Sequence, residues 1–544
     1  MTRFRFAPLA TLAAGLVAAC SPPPPVTEPT PEPGPPAVPA PPTTPAPPAY
    51  VPLTASLPPI PAVDGPLAIR LVAPEPGQAM PARDSAFLYG SVGTGGAALF
   101  VNDVPVAVAP NGAFIARLPV PADGTWRLRA TKGDARADTF FTYRARTPSP
   151  SRPDSATERG EAAPPPRAAN SATFTPSRAG TVVRGSDSLA TGSDAVPARP
   201  TPTGTYRWFL PRGSRLTLVE RRGSQYRVQL DPATPAWIDT VNVRLAAAQP
   251  TPAAPPAIGA ARSVTGGEAP EVRIAAGFAP FLVEADSAGL HLTVYGADRG
   301  GELRVTADDF VTGAGQRPIP GALRIDVALS RWLWGYRAWY EADGTLVVRI
   351  RRPPRIDPAA PLRGIRIVVD PGHPPAGATG PTGYREKDAN LAIALPLAAK
   401  LRAAGADVRL TRETDVAVDL AARPAMAVAM DADLLVSVHN NAFGEAANPF
   451  RDHGTSAYWF HPLSTDLARA LDRRIAETTG IPDLGAKWDN LALVRSTWMP
   501  SALTESLYMP IPEQEAALRD PGFLDRLAEA HVRGIEDFLR LRAR

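Results

Sequence analysis

Proline-dense stretches divide this chain, and they set the limits of anything that can fold. The sequence has 66 prolines in 544 residues, more than twice the usual share of about 5%. The densest stretches contain few large apolar side chains, so they cannot bury a core. We therefore predict a Pro-rich tether at 20–61 and linkers at 147–177 and 247–269. A chain of this length is also too long for one core, so several domains are expected between these stretches.

Charge and cysteine usage exclude several classes of protein. The 57 basic residues nearly balance the 53 acidic ones, which leaves a net charge of +4. Without a basic run that carries interleaved aromatic residues, we expect no nucleic-acid binding. Cys20 is the single cysteine, so disulfide bonds and cysteine-based metal sites within the chain are excluded.

The N-terminus has the pattern of a secretion signal. Arg3 and Arg5 precede an apolar run, Leu9 to Ala19, that is too short to span a bilayer. We predict a signal peptide at 1–19. The run ends Val-Ala-Ala-Cys20, which resembles a bacterial lipobox and implies a lipid anchor on Cys20, although an ordinary signal peptide with an incidental cysteine stays open.

The residue after the cysteine bears on the location of the anchor. Ser21 stands there, with no Asp. This resembles the sorting rule for Gram-negative outer-membrane lipoproteins. It implies a location on the periplasmic side of the outer membrane, with the inner membrane as the less favoured alternative.

Three regions show short alternating strands separated by turn signals, which predicts small all-β modules. The first, 62–146, resembles bacterial Ig-like sandwiches. The second, 178–246, has predicted strands at 215–219 and 225–230 followed by Ala236-Trp-Ile238 and resembles bacterial SH3-type barrels. The third, 270–353, has predicted strands such as 290–295 and 345–350 and resembles AMIN-type modules. These likenesses imply wall-binding modules without catalytic groups of their own.

From residue 360 to 544 the pattern changes to alternating strands and helices, which predicts an α/β domain with a mostly parallel central sheet. Buried strands are expected at 365–370, 434–438 and 501–504, with a further short strand at 491–494. The chain is thus predicted to be multi-domain, with small all-β modules followed by this α/β domain. In such sheets, ligands bind at the carboxyl ends of the strands.

Chemically active side chains follow the predicted strands. His373 and His439 come at two strand ends, Glu505 ends a third, and Glu386 begins the first helix. A catalytic zinc ion needs about three protein ligands, and two histidines with one glutamate form a known set. A second carboxylate could then act as a general base. A lone histidine at a strand end is usually structural, but two histidines with two carboxylates favour a metal site.

These residues stand in blocks that resemble the zinc-dependent N-acetylmuramoyl-L-alanine amidases of the amidase-3 type. The matching blocks are Val-Asp370-Pro-Gly-His373, Glu386-Lys-Asp-Ala-Asn-Leu391, Leu410-Thr-Arg412-Glu-Thr-Asp415, Arg423, Asp433-Leu-Leu-Val-Ser437-Val-His439-Asn-Asn441 and Met499-Pro-Ser-Ala-Leu503-Thr-Glu505. The resemblance covers about a third of the chain. It implies that His373, Glu386 and His439 bind zinc and that Glu505 is the catalytic carboxylate.

The sequence departs from the family pattern at the rim of the predicted site. Pro374 and Pro375 stand where the family usually has Gly-Gly, and Ser506-Leu507 replaces Gly-Phe. Leu484 replaces an arginine. These changes affect the substrate side and not the four chemical positions.

The resemblance implies hydrolysis of the amide bond between N-acetylmuramic acid and L-alanine in peptidoglycan, in wall remodelling or daughter-cell separation. Peptidoglycan and, through the anchor, a membrane are the implied partners, while divisome or envelope proteins stay unidentified. Two alternatives stay open: a non-catalytic peptidoglycan-binding lipoprotein, and a zinc peptidase that acts on another wall peptide bond.

A further expectation concerns access to the site. Some relatives carry an inserted helix after the second zinc histidine that blocks the site. Here the segment from Asn440 to Ser456 contains Gly444, Pro449 and Gly454, which are poor in a helix interior. We predict an open groove and activity without a separate activator. The alternative that Glu445 is an additional zinc ligand stays open.

Overall fold

The computed structural model describes residues 48–146, 171–183, 196–246, 262–286, 289–296 and 301–543, except for 76, 82 and 83. The predicted signal peptide, Cys20 and the tether as far as residue 47 lie outside these residues. All described residues belong to one compact unit, 46–544. Within the described ranges, no helix combines the length and apolar character needed to cross a membrane.

The first module is a β-sandwich whose core follows from strand alternation. Leu88, Leu99, Phe114 and Trp126 point inward and are at most 1% exposed. Its strands form the sheets β1-β3-β6, β5-β4-β7-β8 and β2-β9. They are β1 (Arg70–Ala73), β2 (Ala79–Pro81), β3 (Ser85–Ser91), β4 (Ala98–Val101), β5 (Val104–Val106), β6 (Ala113–Pro119), β7 (Thr125–Lys132), β8 (Ala135–Thr142) and β9 (Arg144–Arg146).

The second module consists of a five-stranded sheet, β15-β14-β13-β10-β16, and the pair β11-β12 around one core. Its strands are β10 (Ser171–Val182), β11 (Val196–Ala198), β12 (Trp208–Leu210), β13 (Arg215–Arg222), β14 (Gln225–Gln229), β15 (Pro235–Asp239) and β16 (Val243–Leu245).

The third module has two sheets, β21-β17-β18-β25-β24 and β19-β20-β23-β22, that share a core. Its strands are β17 (Arg262–Thr265), β18 (Glu271–Ala275), β19 (Phe281–Ala285), β20 (Gly289–Tyr295), β21 (Leu303–Thr306), β22 (Val311–Ile319), β23 (Ala322–Leu329), β24 (Gly335–Tyr340) and β25 (Thr345–Arg351). The likeness of the three modules to Ig-like, SH3-like and AMIN-like domains stays a prediction.

The C-terminal domain is built on a six-stranded sheet in the order β27-β26-β28-β31-β29-β30. All neighbours pair parallel except β29 and β31. The predicted fold class, all-β modules followed by an α/β domain with a mostly parallel sheet, is confirmed at this level. The elements are β26 (Arg366–Pro371), α1 (Glu386–Ala403), β27 (Asp407–Leu410), α2 (Ala422–Ala429), β28 (Leu434–Asn441), β29 (Thr455–Trp459), α3 (Thr465–Thr479), β30 (Asp483–Trp488), β31 (Ser501–Tyr508), α4 (Pro512–Ala517) and α5 (Pro521–Arg542).

One predicted strand and two linker boundaries are wrong. Residues 491–494 do not form a strand, because Arg495 hydrogen-bonds to both the side chain and the carbonyl of Asn490 and closes a turn there. Ser171 begins β10, which is 12 residues long and pairs with β13 and β16. Arg262 begins β17, which pairs with β18 and β21. In both cases partner strands satisfy the backbone of a segment whose composition is typical of a linker.

The last part of the predicted tether, residues 48–61, is bound to the C-terminal domain. Residues 48–61, which we call the strap, run without regular structure along the C-terminal domain. The Leu57 side chain lies in the core of that domain. Ser56 Oγ donates to the carbonyl of Thr479 at 2.5 Å, and Leu53 N donates to Glu513 Oε1 at 2.6 Å. The hydroxyl of Tyr50 bonds to the same carboxylate.

The third module docks on the six-stranded sheet of the C-terminal domain, at the edge where β26, β28 and β31 begin. Arg351 pairs with Asp433 at 2.7 Å, and Trp334 Nε1 donates to the carbonyl of Asp433 at 2.9 Å. Tyr336 N donates to Thr497 O at 2.6 Å. A Cβ at Gly335 would overlap the carbonyl of Trp498. Glycine therefore allows this close approach of the two backbones.

Leu57→Ala should destabilise the folded chain. Leu57 is 8% exposed inside the core of another domain, and a buried Leu→Ala change costs about 2 kcal/mol or more. We expect this loss in the free energy of unfolding from urea denaturation of the full chain. Leu395→Ala is the matched control, since Leu395 is 42% exposed. Equal stability of the two variants would contradict the docked strap.

Candidate metal centre

Three elements bring the predicted residues to the carboxyl edge of the sheet. His373 follows two residues after β26, His439 lies near the end of β28, and Glu386 is the first residue of α1. Because β26 and β28 are parallel and in register, Asp370 with Ser437, their ends meet at the same edge. The structure therefore brings together the residues that the sequence singled out.

The ligand atoms of His373, Glu386 and His439 lie within 4.8 Å of one another. Glu386 Oε1 is 3.2 Å from His373 Nε2 and 3.0 Å from His439 Nδ1. The two imidazole rings are 4.9 Å apart, centroid to centroid. Ligands about 2.0–2.1 Å from a tetrahedral zinc ion would lie roughly 3.3 Å from one another. The donor set and its spacing therefore fit zinc.

The Glu386 carboxylate is buried, and its surroundings favour the charged form. Burial alone would raise the pKa of this carboxyl, but hydrogen bonds from His373 and His439 outweigh it and lower the pKa. Glu386 Oε2 also accepts the backbone N–H of Ala378 at 2.8 Å. The position of Glu386 in the first turn of α1 adds the favourable field of the helix N-terminus.

Two glycines let the backbone pass close to the imidazole rings. A Cβ at Gly372 would overlap the ring of His439. Gly377 has φ +117°, and a Cβ there would lie 3.0 Å from the ring of His373. Side chains at either position would displace a ligand ring, so the close packing of the site depends on both glycines.

Two buried guanidinium groups hold the turn that carries His373. Arg412 donates to the carbonyls of Pro371, Gly372 and Lys387 at 2.6–3.0 Å. Arg423 pairs with Asp370 at 2.8 Å, and its Nη2 donates to the carbonyl of His373 at 3.2 Å. His373 itself has φ +59°, a conformation that costs about 1 kcal/mol or more for a non-glycine residue. The guanidinium bonds offset this strain.

Arg412 thus acts on the backbone of this turn, while the nearby Asp415 carboxylate pairs with Lys387 at 2.5 Å.

Glu505 lies in β31 directly beside His439 in the parallel register. Its side chain is fully buried. Burial, together with the negative charge of Glu505, raises the pKa of the Tyr458 phenol to about 12. In the sheet register, the buried Glu505 is therefore the neighbour of His439, one of the three grouped ligand residues.

The remaining histidines lie outside this group. His453 is buried and contacts the Pro449 carbonyl, and His461 contacts the Arg495 carbonyl. His291 bonds to Asp286 and Asp326, and His531 to Thr504. The ligand group found among the described residues contains only His373, Glu386 and His439.

The segment after the second histidine forms turns and no helix over 442–454, as expected from its glycines and proline. Glu445, considered as a further ligand, accepts a hydrogen bond from Gln78 of the first module at 3.1 Å. It is not part of the ligand group.

Sequence reasoning missed the groups that hold the ligands from behind. Asn390 donates to the carbonyl of Gly372 at 3.1 Å and accepts from Asn440 at 2.9 Å. The buried Glu515 accepts from Thr382 and Tyr384 at 2.8–3.1 Å and so fixes the loop before Glu386. Asn390 and Asn440 lie inside the matching blocks, which was a usable signal. Nothing in the sequence connects Glu515 with a loop some 130 residues earlier.

Comparison with known proteins identifies related sequences. Residues 367–537 match the Amidase_3 family, described as N-acetylmuramoyl-L-alanine amidase. A probable cell wall amidase, LytH of Staphylococcus aureus, is 33% identical over 180 residues. That match covers 32% of this chain, and the chain spans 59% of the length of this relative.

Solved structures match the same region. The catalytic domain of CwlV, an N-acetylmuramoyl-L-alanine amidase from Bacillus (Paenibacillus) polymyxa var. colistinus, is 33% identical, with 32% of this chain and 98% of that chain covered and a TM-score of 0.30. The N-acetylmuramoyl-L-alanine amidase AmiC2 of Nostoc punctiforme is 31% identical, with 32% and 97% covered and a TM-score of 0.30.

Arg423→Met should destabilise the fold and loosen the site. The change leaves the buried Asp370 carboxylate without its ion-pair partner, which costs about 3 kcal/mol or more, and it frees the carbonyl of His373. Urea denaturation measures the first effect. Zinc titration measures the second, a fall in affinity of roughly tenfold. Arg409→Met, on the exposed side of β27, is the control. Equal stability and equal zinc affinity of the two variants would show that Arg423 does not support the turn with His373.

Proposed function

We propose that this chain, whose C-terminal domain belongs to the N-acetylmuramoyl-L-alanine amidase family, hydrolyses the amide bond between N-acetylmuramic acid and L-alanine in peptidoglycan with the help of a zinc ion. The observation that carries the proposal is the buried Glu505 carboxylate in register with His439, beside the group of His373, Glu386 and His439. Because the chain spans only part of its relatives, the activity of the whole protein is part of the proposal.

Each residue has a distinct task in this reaction. His373, Glu386 and His439 would hold the zinc ion, and Arg412 and Arg423 keep the turn with His373 in place. When bound, zinc supplies Lewis-acid polarisation of the scissile carbonyl and lowers the pKa of water at the site. Glu505 takes a proton from the attacking water and delivers it to the leaving amine of L-alanine.

The biological setting follows from the substrate. The relative LytH is named a probable cell wall amidase, and we propose that this chain acts in wall remodelling or daughter-cell separation. The rim residues Pro374, Pro375 and Ser506 differ from the family pattern. The specificity for the stem peptide should therefore be determined by identifying the reaction products. We also propose activity without an activator, since 442–454 contains no helix that could block the site.

Digestion of intact sacculi tests the reaction. Mass spectrometry should show free stem peptides that begin with L-alanine and glycan strands without peptide. Cleavage within the peptide would instead indicate a zinc peptidase, and no released fragment would indicate a wall-binding protein without catalysis.

Two substitutions separate metal binding from proton transfer. His439→Ala should lose most of the bound zinc, because it removes one of three ligands. Glu505→Gln should keep one zinc ion per chain and lose turnover by at least a hundredfold, within the range of general acid–base catalysis. Zinc content and sacculus digestion measure the two effects. Full zinc content in His439→Ala, or normal turnover in Glu505→Gln, would contradict the assigned roles.

We further propose that Cys20 carries a lipid that holds the chain at the periplasmic side of the outer membrane. Two acyl chains are enough for stable anchoring. Cys20→Ser should move the protein from the membrane fraction to the soluble periplasmic fraction, with unchanged activity on isolated sacculi. Fractionation followed by immunoblotting checks this, and unchanged membrane partitioning would disprove the anchor.

A further inference from the structure

The outer face of the sheet β1-β3-β6 in the first module is covered. Along β3, Ala86 and Leu88 face the sandwich core, so Phe87 and Tyr89 must face outward. Outward side chains of a free sandwich would be exposed, yet Tyr89 is only 7% exposed. Ile115, directly opposite Tyr89 on β6, is 8% exposed and lies outside the sandwich core. The C-terminal domain covers this face.

One part of the contact is made to the loop between His373 and Glu386. The Tyr89 hydroxyl donates to the carbonyl of Thr379 at 3.1 Å. A Cβ at Gly383 would come within 2.9 Å of the guanidinium of Arg70. This loop, 374–385, joins the first metal ligand to the second. The module therefore touches the segment that sets the spacing of those two ligands.

The other part of the contact is made to the loop that follows His439. Gln78 Nε2 donates to Glu445 Oε1 at 3.1 Å, and the rings of Phe87 and Phe443 are 5.6 Å apart, edge to face. Phe443 in turn stacks on Tyr508 with centroids 4.6 Å apart. Tyr508 is paired with Asn441 and ends β31, three residues after Glu505. Consecutive aromatic contacts thus connect the first module to β31, the strand that carries Glu505.

The strap joins the sandwich to the C-terminal domain close to this contact. Leu57 lies in the catalytic core, and Val63 N already bonds to Pro110 O of the sandwich at 3.0 Å. Only five residues separate these two positions, so the sandwich cannot move far from the site. This short connection favours a sandwich that is a fixed part of the active-site architecture over a sandwich that acts as a dissociating cap.

We propose that the first β-sandwich is a built-in support of the active site, and that Phe87 and Tyr89 are positioning residues that fix the two loops bordering the metal ligands. The inference rests on the proposed function, since it assigns the module a task in that reaction. The two loops that border the metal ligands are accordingly held by another module of the same chain.

The test uses the full-length protein with matched variants. Phe87→Ala removes the contact with Phe443, and Phe140→Ala is its control, because Phe140 is 69% exposed on the other sheet of the same sandwich. Tyr89→Phe removes only the bond to Thr379, and Tyr143→Phe is its control, since the Tyr143 hydroxyl bonds at 3.1 Å to Pro74 within the module. If Phe87→Ala fails to fold, the two tyrosine variants still test whether the module fixes the loop 374–385, because each removes only a hydroxyl group.

Two readouts separate this inference from the proposed reaction. Hydrogen–deuterium exchange should show faster exchange in 376–384 for Tyr89→Phe and in 442–452 for Phe87→Ala, with both controls unchanged. On a soluble muramoyl peptide, kcat should fall about tenfold in Phe87→Ala with KM within twofold of the wild type, as expected when ligands are misplaced. Failure of the wild type to cleave that peptide would count against the proposed reaction and leave the exchange result valid.

Three outcomes would overturn the support role. Exchange in both loops that matches the wild type would show that the module does not fix them. An increased kcat in Phe87→Ala would identify the module as an inhibitory cap. Equal losses in Phe87→Ala and Phe140→Ala would show a general effect on the sandwich.

Discussion

The buried Glu386 carboxylate is the constraint on which the rest of the C-terminal domain depends. A charged carboxylate out of water is costly unless it is paired and hydrogen-bonded. Here two imidazoles, a backbone N–H and the start of α1 provide this compensation. Three of these four groups lie on different segments, the turn after β26, the strand β28 and the helix itself. A small displacement of any one leaves the carboxylate under-compensated, so the site must be held from all sides.

The surrounding structure meets this demand with charged groups, and not with apolar packing alone. Arg412 and Arg423 bind successive carbonyls around His373, and Glu515 fixes the loop that leads into α1. Charge-assisted bonds of this kind are directional and strong, and buried ones are expensive to break. They leave the ligands little freedom before any ion or substrate arrives. Such preorganisation is what a catalytic metal site requires.

Local patterns decide which features the sequence could predict. His373, His439 and Glu505 were recognisable because each stands at the end of an apolar run, and parallel strands bring such ends together. The strap was not recognisable, since Leu57 stands among prolines and the strap's hydrogen-bond partners, Thr479 and Glu513, lie more than 400 residues away. Tyr89 was visible only as part of an apolar strand. A strand with large side chains on both faces, such as Ala86-Phe-Leu-Tyr89, does indicate a second buried face, but it does not say what covers it.

The docked strap also sets how far a lipid anchor would let the enzyme reach. If Cys20 is held at the membrane surface, the catalytic domain is tied to it from Tyr50 and not from the start of the sandwich at Val63. A fully extended chain spans at most about 3.5 Å per residue, so the 30 residues from Cys20 to Tyr50 reach roughly 100 Å. A tether that ended at the sandwich would reach roughly 150 Å by the same rule. With such an anchor, the strap would confine the active site to a shorter distance from the membrane, and the same segment keeps the sandwich beside the loops of the metal centre.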